Sequence, residues 1–279
     1  MSQTEFEDRY DCQIQYQYSF DGKTKRYYPI ISHLRLSKQE LDLSEFQSYP
    51  VITFQQAKLT DVVIKTDKIR DLNFQHSTID GLSINVKQFG GTLGFANSTI
   101  SLRSLELTSS PQIIAIVESE LLGLKEPHIH GLSVHTLAIL NSGLDFLDLD
   151  PLLSQIELQQ LLVSDINSVV PLVFSIPLQL QALKLRNLPL HHFPRLSDAM
   201  QLNTLVIEEV EIISHSLHQL ETLSILPKLT ELAIVNSSIN YLPDMSLNKL
   251  EELRIDQNIK IDPKMIARLK VTGVKIRLM

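Results

Sequence analysis

Near its C-terminus the chain repeats one apolar pattern at a fixed interval. Leu229, Leu250 and Val271 each open a run of apolar, two variable, apolar, one variable, apolar, and the starts are 21 residues apart. Leu180 and Leu202 open the matching runs LQALKL and LNTLVI, 22 residues apart. Two apolar residues separated by one variable residue have a period of two, which predicts a short strand with one face inward. One such unit cannot bury its own apolar face. The units must therefore stack, with parallel strands forming a ladder over a continuous core. The gap from 202 to 229 is longer, 27 residues. Within it Ile212, Ile213, Leu217, Leu220 and Leu223 fall on one helical face, predicting a short helix on the outer side of that turn.

The N-terminal half repeats at a different interval. LTDVVI at 59, IRDLNF at 69 and IDGLSI at 79 are ten residues apart; FGGTLGF at 89, LRSLEL at 102, IHGLSV at 129, LDFLDL at 144 and LSQIEL at 153 follow less regularly. Ten residues are too few to close a coil with two sides. Two halves make a coil of about twenty, with strands on both faces. The composition suits such a core. Hydrophobic residues make up 43%, mostly Leu and Ile, while Trp is absent and aromatics are 6%. Similar aliphatic side chains fill a narrow cross-section layer after layer.

In these runs the chain resembles the leucine-rich repeat family. The family pattern places Asn, or a small or polar substitute, ninth in the unit. Asn258 is ninth after Leu250, and Ser237 is ninth after Leu229. INYLP at 239–243 resembles the family's return segment, and LPLHHFPRL at 188–196 is a looser version. Leu188 and Val210 stand where the polar residue belongs, which implies less regular turns there. The expected fold is a repeat solenoid, either a leucine-rich α/β-type or mostly-β array of short parallel strands. A parallel β-helix is the alternative, and the ten-residue spacing fits both. The expected organisation is a non-repeat N-terminal β cap over 1–30, an irregular short-repeat solenoid over 31–179, and leucine-rich repeats over 180–279 in the same continuous array. SVVPLVFSIPLQL at 168–180 is the weakest point of the pattern.

Residues 1–30 do not repeat. CQIQYQYSF alternates as a strand does, and Asp21-Gly22 predicts a tight turn into a second strand. Five of the seven tyrosines lie here: Tyr10, Tyr16, Tyr18, Tyr27 and Tyr28. The expected role is a cap over the first coil, with a tyrosine-rich contact surface as a compatible second role.

The formal net charge of -7 gives no general attraction to nucleic acid or an anionic membrane. Cys12 is the only cysteine, so no internal disulfide forms, and a quiet structural thiol is expected. Residues 1–20 are acidic early and lack the apolar stretch of a secretory signal. Nothing approaches the roughly eighteen apolar residues of a membrane span. A cytoplasmic location is expected, with signal-independent export also compatible.

Tests for chemistry find little. The nine glycines form neither a dinucleotide-binding nor a Walker pattern, and Phe89-Gly90-Gly91-Thr92-Leu93-Gly94 reads as a turn or bulge within the repeats. His128, His130 and His135 form one local group, and His215 and His218 another beside Glu211 and Glu221. His191 and His192 precede Pro194 at an outer turn. None has zinc-site cysteines nearby or an H-E-x-x-H helix, so surface histidines are expected. No G-x-S-x-G elbow marks a serine nucleophile. Asp61, Asp71 and Asp80 recur near strand starts, as stacked carboxylates can in enzymes acting on acidic polysaccharides. They stand out of register, which favours solvated strand positions. No catalytic, cofactor or metal residue is expected.

The variable residues between the repeat leucines are expected to face outward in columns. The third positions are Ala182, Thr204, Glu231, Glu252 and Gly273. The fifth are Lys184, Val206, Ala233, Arg254 and Lys275, and the seventh are Arg186, Glu208, Val235, Asp256 and Arg277. With Glu209, they predict an acidic centre beside an apolar middle of Val206, Ala233 and Val235, flanked by basic residues. Such a patch suits a protein partner, and the resemblance implies that this inner face is the working one. The expected partner-binding residues are Glu208, Glu231, Val235, Glu252, Arg254 and Asp256. The expected function is non-catalytic macromolecular recognition. The alternatives are a β-helix enzyme on an acidic polysaccharide and a scaffold joined through terminal edges, with residues 271–279 as an edge for self-association. The basic residues of 260–279 are a weak nucleic-acid signal on an acidic chain.

Overall fold

The computed structural model describes residues 2–20, 25–129, 132–166, 168, 170–194, 196, 198–214, 220–245 and 249–279. The Asp21-Gly22 turn, His130, His215, Leu217 and His218 lie outside them. The chain divides into two compact units, 1–146 and 147–279. Each is a mostly-β solenoid built on parallel strands, as the repeat spacing requires.

In the first unit a pair of ten-residue runs closes one coil. Strands β5 (Val51–Gln55), β7 (Asp71–Gln75), β9 (Thr92–Ala96), β11 (Ile113–Val117) and β13 (Leu132–Leu140) pair in parallel in one sheet. Strands β3 (Arg35–Ser37) and β4 (Glu40–Asp42), both against β6 (Lys58–Ile69), then β8 (Thr78–Phe89), β10 (Thr99–Leu107), β12 (Glu120–Leu122) and β14 (Gly143–Leu144) pair in parallel in a second. The two-sheet coil fits both short repeats and a parallel β-helix. Between the sheets the chain turns at a left-handed corner residue: Gln56, His76, Asn97 or Glu118, each with φ between 49° and 55°. This conformation is uncommon outside glycine. Here it aims the corner N–H at the next coil: Gln56 donates to Gln75 O, His76 to Ala96 O, and Asn97 to Val117 O.

The residue after each corner is buried, and three of these residues are serines. Ser77 Oγ accepts from Ala57 N–H at 3.1 Å, Ser98 Oγ from Ser77 N–H at 3.1 Å, and Ser119 Oγ from Ser98 N–H at 3.1 Å. Ser142 continues the series by accepting from Ser119 N–H at 3.2 Å. Each hydroxyl donates to a carbonyl two residues back: Gln75, Ala96, Val117 and Leu140. A buried N–H that a strand ladder cannot reach is thus satisfied by the coil above. Beside the serines Phe54, Phe74 and Phe95 stack at 5.2 and 5.4 Å, within 15° of parallel. Gly81, with φ +79°, approaches Asp61 so closely that a Cβ would meet the Asp61 backbone nitrogen at 2.8 Å.

The first unit opens with helix α1 (Gln3–Tyr10), whose Ser2 and Glu5 form a capping box. Its buried Phe6 meets Phe46 edge-on at 5.1 Å. Strands β1 (Gln13–Phe20) and β2 (Lys25–Ser32) pair antiparallel, as the alternation predicts, and β2 then pairs with β5 in parallel. Tyr10 is buried, while Tyr16, Tyr18 and Tyr27 are exposed.

In the second unit β15 (Ile156–Ser164), β16 (Ala182–His192), β17 (Thr204–Ser214), β18 (Glu231–Val235), β19 (Glu252–Ile255) and β20 (Lys275–Leu278) form one parallel sheet. Left-handed Asn187 and Glu209 bend β16 and β17 midway. Beyond the bend Leu188 pairs with Val210 and Leu190 with Ile212. The helix expected around 212–223 is therefore not formed at its start. Ile212 and Ile213 are extended, one buried and one exposed, because pairing with β16 continues to Ser214. A 3-10 turn over Thr222–Ile225 buries Leu223. Asn258 is exposed. The last repeat also differs. Helix α2 (Asp150–Leu153) is short, but helix α3 (Pro263–Val271) occupies the return before β20. Val271 ends that helix, fully exposed at 88%, and the strand begins at Lys275.

Two core substitutions test this construction. Phe74→Ala removes the middle of the aromatic stack and is expected to cost about 3–5 kcal/mol. Ser98→Ala strands the Ser77 N–H and is expected to cost about 1–3 kcal/mol. Both are read as shifts of the denaturant midpoint, with Phe74→Ala the larger.

Candidate functional site

The site residues stand on the solvent side of the second unit's sheet. Leu232, Ile234, Leu253 and Ile255 point inward and are fully buried, so the residues between them face out. Register aligns Ala182, Thr204, Glu231, Glu252 and Lys275 in one column, and Lys184, Val206, Ala233, Arg254 and Arg277 in the next. Arg186, Glu208 and Val235 form a third. The first four strands match the repeat frame. The fifth is displaced by two residues: Lys275 and Arg277 take the places expected for Gly273 and Lys275. Helix α3 supplies the cause, since the chain must leave it through Thr272 and Gly273 before extending.

The columns bring Glu208, Glu231, Glu252 and Arg254 into one ion-paired cluster. Arg254 Nη2 donates to Glu231 Oε1 at 2.6 Å. Its Nη1 lies 3.9 Å from Glu208 Oε1 and its Nε 3.6 Å from Glu252 Oε1. That Nε is buried and has no hydrogen-bond partner among the described residues. Arg277 Nε approaches Glu252 Oε1 at 3.5 Å, so a residue outside the expected set joins the site. Reaching Glu208 requires Arg254 to cross the intervening strand, and the outward residue there is Ala233. Ala233 is 0% exposed although it faces outward, consistent with the guanidinium lying over it. Val206 is 8% exposed. The apolar middle read from the sequence is therefore covered by the cluster, leaving Val235 at its margin.

Asp256 is not part of the cluster. Its Oδ2 accepts from the Asn236 backbone N–H at 2.6 Å and holds the left-handed corner at Asn236. Asp165 is itself a left-handed corner residue, and hydrogen bonds from the Asn187 side chain and from Ser164 hold its carboxyl below the usual range.

The other sequence candidates are dispersed. Asp71 lies in the first sheet of the first unit, whereas Asp61 and Asp80 lie in the second. Asp71 Oδ1 accepts from Thr92 N–H at 2.8 Å, linking two coils. His191 Nδ1 and His192 Nε2 lie 2.6 Å apart at the surface. Among the described residues, no three His, Cys, Asp or Glu side chains converge as metal ligands do. No helix among them is long and apolar enough to cross a membrane. Cys12 is buried, and burial, then Glu7 and Asp11, pushes its thiol up to about 11. The second sheet of the first unit carries a polar groove of about 600 Å³ that residue spacing did not reveal. Its charges pair across strands, Lys65 with Glu40 at 2.7 Å and Lys87 with Asp67 at 2.8 Å. Asp42 there is held below the usual carboxylate range by hydrogen bonds from Ser44.

Compared with family models, with curated proteins and with solved structures, the chain matches none.

Two outcomes follow from this geometry. Arg254→Ala is expected to lower stability by about 0.5–1 kcal/mol, a loss that shrinks with added salt because the pairs are partly exposed. Alkylation of Cys12 by iodoacetamide is expected to be slow at neutral pH and to rise about tenfold per pH unit towards pH 11, since only the thiolate reacts. A rate levelling near pH 8.5 would contradict the buried thiol.

Proposed function

We propose that the chain is a non-catalytic recognition module that binds a partner protein through the solvent face of the second unit's sheet. One observation carries this reading: parallel register gathers Glu208, Glu231, Glu252 and Arg254 into a single ordered cluster on that face. Ordered charges on a sheet face steer a partner and fix its register. The resemblance to leucine-rich repeats supports the same face.

Co-purification from native extract tests this. Glu231→Lys and Arg254→Glu, alone and combined, are each expected to abolish capture of the specific partner. The combined variant retains an opposite-charge pair, so its stability is expected to stay close to the parent's. Identical partners with parent and combined variant would count against the face.

One observation favours a second reading, an enzyme on the solenoid scaffold acting on an acidic polysaccharide: the polar groove with Glu40, Asp42 and Asp67. It expects turnover of polygalacturonate that Asp42→Asn removes, and no turnover would dismiss it.

A further inference from the structure

The sequence presents the face of the second unit as acidic at its centre. Its ion pairing makes the outward charge different. The three carboxylates, Glu208, Glu231 and Glu252, are all engaged by Arg254, and Glu252 also by Arg277. Lys184 and Arg186 on β16 and Lys275 on β20 are exposed and make no direct ion pair among the described residues, although Arg186 lies near enough to the Asp165 carboxylate to help lower its pKa. Five cations therefore stand against three carboxylates in the registered columns, with exposed Glu209 at the corner after Glu208 and Glu251 beside Lys275 just outside them, on a chain whose net charge is -7. The unengaged cations lie at the two ends of the strip.

We infer that the occupant of this face is an acidic polypeptide segment of a partner protein, its carboxylates seated at Lys184/Arg186 and at Lys275. The inference rests on the recognition reading above and gives that partner its chemistry. Adjacent strands lie ~4.8 Å apart, so β16 and β20 are separated by ~19 Å; with the offset of two or four residues along the strands, an extended segment from Lys275 reaches Lys184 in about six residues and Arg186 in about seven. The segment therefore carries acidic groups at two places about six residues apart, with neutral residues between them. Over the middle, the fixed Glu–Arg cluster offers an incoming chain carboxylate oxygens as acceptors and guanidinium N–H groups as donors. A nucleic-acid backbone fits this spacing poorly. Its phosphates are continuous, and those over β17 to β19 meet Glu208, Glu231 and Glu252. A peptide can leave that stretch uncharged.

Fluorescence anisotropy on the full chain tests this with three labelled probes. The first is a peptide with a Glu pair at each end of about five Gly and Ser residues, sized to the strand spacing. The second carries Lys in place of Glu, and the third is a single-stranded oligo-dT. The Glu peptide is expected to bind, and to bind more weakly when salt is raised from about 50 to about 200 mM. Lys184→Glu with Arg186→Glu, and separately Lys275→Glu, are each expected to weaken it about tenfold. Circular dichroism of these surface variants is expected to match the parent. The inference is overturned if the Glu peptide does not bind, if the variants leave its affinity unchanged, or if the Lys peptide or oligo-dT binds more tightly. An extract partner that is lost with the Glu231/Arg254 variants, while the Glu peptide ignores Lys184, Arg186 and Lys275, leaves the recognition reading standing and removes only the acidic segment. Loss of both results removes the two together.

Discussion

Parallel backbone pairing between one coil and the next governs the rest of this structure. Each strand's N–H and C=O groups find partners only in the coils before and after it, so the chain must return to the same place after every circuit. That return sets the spacing of the apolar residues. It also creates a difficulty at each corner, where the backbone leaves the sheet and its N–H groups would be buried without a partner. The first unit meets it twice over. A left-handed residue such as His76 or Asn97 turns its N–H to the next coil, and the N–H of the buried serine beside it is accepted by the serine hydroxyl of that next coil. The unfavourable corner conformation is offset by hydrogen bonds that repeat through the stack.

The same register arranges the surface. Strands that must pair at fixed positions place their outward side chains in columns, whatever those side chains are. Glu231 and Glu252 stand side by side because Leu232 and Leu253 do. Like charges in adjacent strands repel, and Arg254 removes the repulsion by reaching two strands back. It can do so because the residue in its path is Ala233. The small side chain and the ion cluster are one feature, and together they leave the unengaged charges within the registered columns positive.

Much of this was legible in residue order. Leu180, Leu202, Leu229 and Leu250 mark true strand frames, and the ten-residue runs beginning at 59, 69 and 79 alternate between two sheets as coil closure requires. Glu208, Glu231, Glu252 and Arg254 were identifiable as neighbours from the frame alone. The failures share a cause. Val271 matches the apolar pattern yet ends a helix, and Ile212 and Ile213 match a helical face yet lie in a strand. In both places a local pattern of a few residues suits two conformations, and pairing with a distant strand or packing of the return segment selects between them. The serines at 77, 98 and 119 carried a usable signal, an interval of 21 residues, but a serine's spacing does not say that it points inward.

Residue order was enough to predict a stacked array of parallel strands, because apolar periodicity reports which side chains must leave water, but it left open whether the first half carries one sheet or several. Residue order was also enough to place the outward residues of β16 to β19 in rows. It could not say which of those residues would neutralise one another. Ion pairing depends on side-chain reach across strands that are more than twenty residues apart in the chain. Whether Arg254 meets Glu208 depends on Ala233 between them, and whether Arg277 joins depends on a two-residue shift imposed by helix α3. Those are distances in space, and only the folded coil sets them.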